Sequence, residues 1–308
     1  MKILITGGAG FIGSHLVHRL IERNCNIIVI DDLSSGHLSN INELDKIQFI
    51  ENKVQSNEID DLSDIDGIFH LAAQASVPVS IDKFYSSSSN NLLSSIRVFN
   101  LAKKFRIPVV YASSSAIYGN LSLGDDSKNN FEILSPYALD KLTMEKYASM
   151  MYDVYDVKSI GLRFFNVYGP NQDPSNPYSG VISIFIDQIL KGNTITVNGG
   201  YQTRDFVYVE DVVDVMLKSM ETLHESDICE FFNVGTGKST SINELLNIIK
   251  DILNADPQII KKELPKGDPE KSEGTYEKVR DILDIDLAKF VTLENGLEKT
   301  INSLLSSV

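Results

Sequence analysis

The first fourteen residues, MKILITGGAGFIGS, constrain this chain more than any other stretch. An apolar run from Ile3 to Ile5 breaks into glycines at Gly7, Gly8, Gly10 and Gly13, and a helical pattern begins at Phe11. That order predicts strand, tight loop, helix. Gly7 permits the sharp turn, Gly10 lets backbone N–H groups approach a pyrophosphate at the positive end of the helix, and Gly13 lets helix pack on strand. Phe11 and Ile12, which open the helix, join these glycines as cofactor-binding candidates. Glycine-rich turns also occur without a ligand, so the loop needs context. The next strand supplies it: Asn26 to Ile30 ends at Asp31, 18 positions after Gly13, where a carboxylate can accept both hydroxyls of an adenosine ribose. Asp32 stands beside it. An acid here favours NAD over NADP, whose 2′-phosphate it repels.

Apolar runs of strand length alternate with helical patterns through the first half: Lys2 to Thr6, Asn26 to Ile30, Ile47 to Ile50, Gly67 to Ala72, Ile107 to Ala112 and Val157 to Arg163. Between them Phe11 to Glu22, Asn90 to Lys104 and Tyr137 to Met151 carry apolar residues at helical spacing. This rhythm predicts an α/β fold, a Rossmann-like doubly wound parallel sheet. Residues 1–165 read as the dinucleotide-binding domain, with segments returning near 205–235. Residues 166–308 read as a smaller C-terminal α/β substrate lobe, with helices over Gly180 to Lys191, Val209 to Leu223, Ile242 to Leu253 and Leu293 to Leu305. Asp256 to Gly274 reads as a strand and loop.

At 308 residues and 43% hydrophobic content, the chain can bury a large core. A net charge of −14 argues against nucleic acid or an anionic membrane as partner, since either needs a basic face. No run approaches the roughly 20 apolar residues of a membrane span. The N-terminus enters a strand with no signal-peptide pattern, so the expected location is cytoplasmic. Cys25 and Cys229 lack metal-like spacing and read as small core residues; no metal site is expected.

In doubly wound sheets, ligands sit beyond the carboxyl ends of the strands. The fourth run ends in His70, Leu71, Ala72, Ala73 and Gln74, whose small residues suit either a flat cofactor lying against backbone or simple close packing. Ser76 to Tyr85 is polar and Pro-interrupted, which predicts a loop. The fifth run ends in Ser113, Ser114 and Ser115. Ser135 and Pro136 open a helix carrying Tyr137 and Lys141, an i, i+4 pair that projects from one face. An ammonium near a phenol favours the phenolate. Such a tyrosine can act as base toward an alcohol while a serine hydroxyl bonds the same oxygen and a nicotinamide takes the hydride.

With TGGAGFIGS, DDLSSG, HLAAQASV, SSSAIYG, SPYALDK, FFNVYGPNQDP, TRDFVYVEDV and FNVGTG in order along nearly the whole chain, the sequence resembles the extended short-chain dehydrogenase/reductases, and within them the UDP-hexose 4-epimerases. The resemblance implies that Tyr137 is the catalytic base and that Lys141 holds the nicotinamide ribose and lowers the tyrosine pKa. It assigns the catalytic hydroxyl to Ser114, with Ser113 and Ser115 as fallbacks. It places Asn91 near cofactor and substrate. Asn166 and Arg204 match positions that hold the diphosphate, and Ser76, Ser115, Val181, Asp268 and Ser272 fall in its substrate-binding set. Relatives that dehydrate or decarboxylate the 4-keto sugar carry acids between the catalytic hydroxyl and the YG tyrosine. Here those positions are Ser115, Ala116 and Ile117, which leaves 4-epimerisation with tightly held NAD.

The position four after Asp268 lines the sugar pocket in this resemblance; as Ser272 it leaves volume for an N-acetyl group, so UDP-GlcNAc and UDP-GalNAc are expected alongside UDP-glucose and UDP-galactose. A UDP-uronic acid epimerase, a net nucleotide-sugar dehydrogenase or reductase and a non-enzymatic dinucleotide sensor are the competing readings. Family members commonly form homodimers through the helices holding Asn91 and Tyr137; Leu92, Leu93, Ile96, Val98 and Met144 fit either that interface or ordinary core. Three positions depart from the family pattern. Pro265 replaces a diphosphate arginine, leaving Lys262 or Lys266 to substitute. Lys53 replaces an aspartate near the adenine, and NGGYQ precedes Arg204. Lys83 and Arg97 are cations without an assigned place.

Overall fold

The computed structural model describes residues 1–56, 62–174, 180–264 and 268–306. In chain order the elements are β1 (Lys2–Thr6), α1 (Phe11–Glu22), β2 (Asn26–Asp31), β3 (Ile47–Glu51), β4 (Gly67–His70), α2 (Val77–Asp82), α3 (Phe84–Phe105), β5 (Val109–Ser114), α4 (Pro136–Tyr155) and β6 (Ser159–Phe164). There follow β7 (Asn166–Tyr168), α5 (Val181–Leu190), β8 (Ile195–Asn198), β9 (Thr203–Tyr208), α6 (Val209–Glu225) and β10 (Cys229–Val234). The last are β11 (Ser239–Ser241), α7 (Ile242–Leu253), β12 (Ile259–Lys262), α8 (Glu277–Leu283) and α9 (Leu293–Ser306). They form two compact units, one of Met1–Ile117, Ile133–Arg163 and Val213–Phe232, the other of Tyr118–Glu132, Phe164–Val212 and Asn233–Val308.

The first unit is built on a seven-stranded sheet in the order β10-β6-β5-β4-β1-β2-β3. β1 pairs in parallel with both β2 and β4, Ile5 lying opposite Val29 and Phe69. The strand order therefore reverses between β1 and β4, the crevice where doubly wound sheets bind ligands. Leu4, Ile28, Ile68 and Val109 are buried on consecutive strands because helices cover both faces. The expected Rossmann-like α/β sheet is thus the observed fold.

Local signals explain the helices. Leu16, Val17, Leu20 and Ile21 give α1 a buried stripe. Ser135 Oγ accepts from Ala138 N at 3.1 Å and Pro136 occupies the first turn, so α4 starts where its cap dictates. The loop expected over Ser76 to Tyr85 is instead helical: α2 fills Val77–Asp82 and α3 begins at Phe84. Ser76 caps α2 through Val79 N at 3.3 Å, and Pro78 costs nothing where amides have no helical acceptor. The serine run Ser86 to Ser89 lies inside α3. Both cysteines are half-buried free thiols, and Cys229 packs against the core. Val98 and Met144 are core, whereas Leu93 and Ile96 are exposed.

The second unit holds two small sheets, β11-β9-β7 and β12-β8. Its Tyr118–Glu132 segment is pinned by distant partners: Tyr118 Oη donates to Asn233 Oδ1 at 2.8 Å, and Asp126 accepts from Asn233 N at 2.9 Å and Thr275 Oγ1 at 3.0 Å. The expected strand after Asp256 is β12, parallel to β8. Among the described residues no helix is long and apolar enough to cross a membrane.

Candidate active site

Within the first unit, the carboxyl ends of β1, β2 and β4 converge on a cleft lined by Gly7, Gly10, Asp31, Asp32, Leu71, Ala72 and Ala73. Gly7 turns at φ +74°, and a Cβ there would lie 2.6 Å from Ala72 N. A Cβ on Gly13 would lie 2.1 Å from Gly7 O, so helix and loop pack backbone to backbone. Gly10 differs: a Cβ there would meet a single atom, Gly7 O at 3.3 Å, a tight contact but far from the overlap at Gly13. Phe11 and Ile12 follow it as the first residues of α1.

Asp31 Oδ2 accepts from Ala9 N at 2.9 Å and Oδ1 from Leu33 N at 2.9 Å. Burial raises its pKa, opposed by those two backbone bonds. A carboxylate has about four acceptor sites, so capacity remains for a ribose diol. Asp32 accepts from Ser34 N at 3.0 Å. An open approach to helical amides, an acid at the β2 end and small residues at the β4 end together fit a dinucleotide with an unphosphorylated ribose. Lys53 also lines this cleft.

The acid–base candidates meet in the same unit. Ser114 ends β5, and its Oγ accepts from Ala116 N at 3.1 Å. Tyr137, in the first turn of α4, is buried and its phenol is hydrogen-bonded to Ser114; burial raises the phenol pKa and that bond opposes the rise. Lys141 lies one turn on, its Nζ donating to Ala112 O at 2.6 Å and standing 5.7 Å from the Tyr137 ring centre. Burial brings the lysine pKa down to about 8, against the pull of Asp140 and Glu145. The ammonium is thus committed to a backbone carbonyl, and burial dominates the titration of the phenol. The three serines separate: Ser113 is buried with its hydroxyl donating to Glu145 Oε1 at 2.6 Å, Ser115 opens a 3₁₀ turn, and Ser114 alone reaches Tyr137.

Asn91, a cofactor candidate, is buried and hydrogen-bonded on both sides of its amide. Its Oδ1 accepts from Gln74 N at 2.8 Å, and its Nδ2 donates to Gln74 O at 3.2 Å and Asp140 Oδ2 at 3.1 Å. Of the two cations left unassigned, Arg97 donates to Ser56 O at 3.3 Å and Lys83 is exposed where α2 passes into α3.

Spacing signals pointed to residues that the sequence reading passed over. Glu145 lies four after Lys141, Arg163 is a charge inside the apolar run of β6, and His70 ends β4. His70 Nδ1 lies 2.7 Å from Thr6 Oγ1 and Nε2 lies 3.2 Å from Ser95 Oγ. Burial, then the charge of Lys141, pushes its pKa down to about 3, so it stays neutral at working pH.

The substrate candidates Asn166, Val181, Arg204, Asp268 and Ser272 belong to the second unit. Asn166 Nδ2 donates to Asp205 O at 3.2 Å, and Val181 is the first residue of α5. Arg204 is largely buried and bonds Asp268 Oδ1 at 2.5 Å. Ser272 is half-buried on an extended segment anchored on both sides, by Thr203 N to Glu270 O at 2.9 Å and Gly124 N to Glu273 O at 2.8 Å. Lys262 ends β12 and is exposed. Pro265, Lys266 and Gly267 lie outside the described residues.

Known proteins resemble this chain along most of its length. A putative UDP-glucose 4-epimerase of Methanocaldococcus jannaschii is 40% identical over 80% of this chain and 81% of its own. The crystal structure of UDP-glucose 4-epimerase with UDP-glucose from Thermotoga maritima superposes with a TM-score of 0.93 at 36% identity, covering 100% of this chain and 99% of that one. The UDP-N-acetylglucosamine 4-epimerase of Methanobrevibacter ruminantium, in complex with UDP-N-acetylmuramic acid, gives 0.92 at 35% identity with the same coverage. The sequence model of the NAD dependent epimerase/dehydratase family matches residues 3–235, and this chain belongs to that family.

Proposed function

We propose that this protein is a UDP-hexose 4-epimerase that interconverts UDP-GlcNAc with UDP-GalNAc and UDP-glucose with UDP-galactose through a 4-keto sugar. The observation that carries the reading is the Ser114, Tyr137 and Lys141 set on one strand end and one helix face, with no acid between Ser114 and Tyr118. Ser115, Ala116 and Ile117 fill that gap, and Ile117 is fully buried. No side chain there can protonate a leaving hydroxyl, so the simplest course after oxidation at C4 is return of the hydride.

When bound, NAD would supply the hydride acceptor and donor that the chemistry at C4 needs. Tyr137 Oη takes the proton of the 4-hydroxyl and returns it, and Ser114 Oγ donates to the same oxygen as it becomes a carbonyl. Lys141 keeps positive charge beside the phenolate. Gly7, Gly10, Phe11, Ile12, Gly13, Asp31 and Asp32 hold the dinucleotide with Leu71, Ala72 and Ala73, so the first unit is the cofactor domain. The second unit holds the UDP-sugar, Arg204 meeting the diphosphate with the planar fork that suits phosphate oxygens. Its ion pair with Asp268 fixes the guanidinium beforehand.

The test is incubation of purified protein with each UDP-sugar. The expected result is 4-epimers without net NADH; NADH accumulating in step with product would indicate a dehydrogenase. In the same assay Ser272→Tyr is expected to lower turnover of the N-acetyl sugars about 100-fold, on the scale of a few kcal/mol for an overfilled pocket, and to spare the hexoses. Equal loss on both pairs would sink the size argument.

The protein is also proposed to be a homodimer. Leu93 and Ile96 on α3 and Leu139, Met150 and Val154 on α4 are exposed apolar side chains on two packed helices. Sedimentation of a Leu93→Glu, Val154→Glu variant should give the monomer mass; an unchanged mass would place the interface elsewhere.

A further inference from the structure

Tyr137, Lys141 and Glu145 recur every four residues along α4, so they form one stripe, each pair about 6 Å apart along the axis at 1.5 Å rise per residue. Each touches the end of β5. Tyr137 meets Ser114, Lys141 Nζ meets Ala112 O, and Glu145 Oε1 accepts from Ser113 Oγ at 2.6 Å. Glu145 is also gripped from the neighbouring strand β6: Arg163 Nε donates to Oε1 at 2.9 Å and Nη2 to Oε2 at 2.7 Å. Both side chains are 3% exposed.

A buried ion pair is weak evidence for stability, because desolvation cancels much of the Coulomb gain and well-packed apolar replacements are often equally stable. What this pair has that an apolar pair lacks is direction. A bidentate guanidinium fixes the carboxylate plane, and a third acceptor site takes the hydroxyl next in sequence to Ser114. The axial and rotational setting of α4 on β5 is therefore defined at Glu145, two turns from the reacting phenol.

We propose that Glu145 is a positioning residue: held by Arg163 and Ser113, it locks the register of α4 on β5 and so sets where Tyr137 and Lys141 stand relative to Ser114. This rests on the epimerase reading for its kinetic consequence but not for its geometry. The charged and titratable groups facing Lys141 are His70 from β4 and Asp140, Glu145 and Tyr137 on α4, while Tyr111 on β5, Arg163 on β6 and Cys229 on β10 face Glu145. Glu145 is the second of the two carboxylates that hold the lysine charged against burial.

The test uses Glu145→Met with Arg163→Met, which removes both charges together and leaves no uncompensated ion, and Ser113→Ala, which removes only the hydroxyl. Thermal unfolding and NAD content of the full-length protein report folding. In the double variant kcat is expected to fall tenfold or more with KM within twofold, and Ser113→Ala should lose kcat by a smaller factor in the same pattern. The titration of Lys141, followed through its 13Cε shift in lysine-labelled protein and assigned by its loss in Lys141→Arg, should move to lower pH in the double variant. A folded double variant with unchanged kcat, or with an unmoved Lys141 titration, overturns the proposal. If the parent converts no UDP-sugar, the epimerase reading fails, and the Lys141 titration alone decides the positioning role.

Discussion

Replacing Tyr137 by Phe is expected to lower epimerisation at least 1,000-fold while leaving thermal stability and NAD content at the parent's level. General acid–base groups contribute about 10²–10⁴ in rate, and a tyrosine that both takes and returns the proton sits at the upper end. The ring is buried, and its packing survives in Phe. So does the backbone bond from Tyr137 N to Ser80 Oγ at 3.2 Å. Only the phenol leaves, and with it the bond to Ser114. The pH dependence adds a second check. Lys141 loses its proton through about 8 in the free protein, so kcat/KM, which reports the free enzyme, should decline above that pH. Residual turnover within tenfold of the parent would move the base to another residue.

The parts of the fold legible in the sequence are those whose cause is local. β1, α1 and β2 could be read closely because glycines mark the turn and apolar runs mark the strands. The helix over Val77–Asp82 carried its signals too, a serine cap followed by proline, but polar composition outweighed them. What stayed hidden depends on distant partners. Nothing local shows that Tyr118–Glu132 joins the second unit, since its anchors at Asn233 and Thr275 lie 115 and 149 positions away.

The site follows the same rule. Three successive serines were equivalent as residues, and only Glu145, brought up by α4, takes Ser113 out of contention. The Tyr137 and Lys141 pair was readable from helical spacing, but its electrostatics were not. The expectation that lysine lowers the phenol pKa counted the charge and omitted the desolvation, which is the larger effect in this structure. Asn91 matched a cofactor-proximal position, and the structure adds that its amide bonds Gln74 and Asp140, contacts no motif encodes.

Gly10→Ala and Gly13→Ala, three residues apart, are expected to fail in different ways. At Gly13 the added Cβ would lie 2.1 Å from Gly7 O and 2.8 Å from Gly8 Cα. Both are backbone atoms that cannot rotate aside, so the helix must move off the loop. Overpacking typically costs about 1–3 kcal/mol, and a backbone clash this deep belongs at or beyond the upper limit. Gly13→Ala should therefore unfold several degrees earlier whether or not cofactor is present. At Gly10 the backbone is extended at φ −76°, ψ 178°, and the nearest contact of a Cβ is 3.3 Å away. Alanine is a poorer N-cap than glycine by about 1 kcal/mol or less, and its Cβ asks Gly7 O to give by only a few tenths of an ångström, so the apoprotein should unfold far closer to the parent than Gly13→Ala. The methyl instead occupies the space through which a pyrophosphate reaches the first amides of α1. NAD binding is expected to weaken on the order of 100-fold, ~2.7 kcal/mol, and epimerisation to vanish at cofactor concentrations that saturate the parent. Calorimetric titration of both apoproteins with NAD, beside their unfolding curves, separates the two. A Gly10→Ala protein that binds NAD like the parent would remove the pyrophosphate from this loop, and with it the reason for an open glycine at the head of the helix.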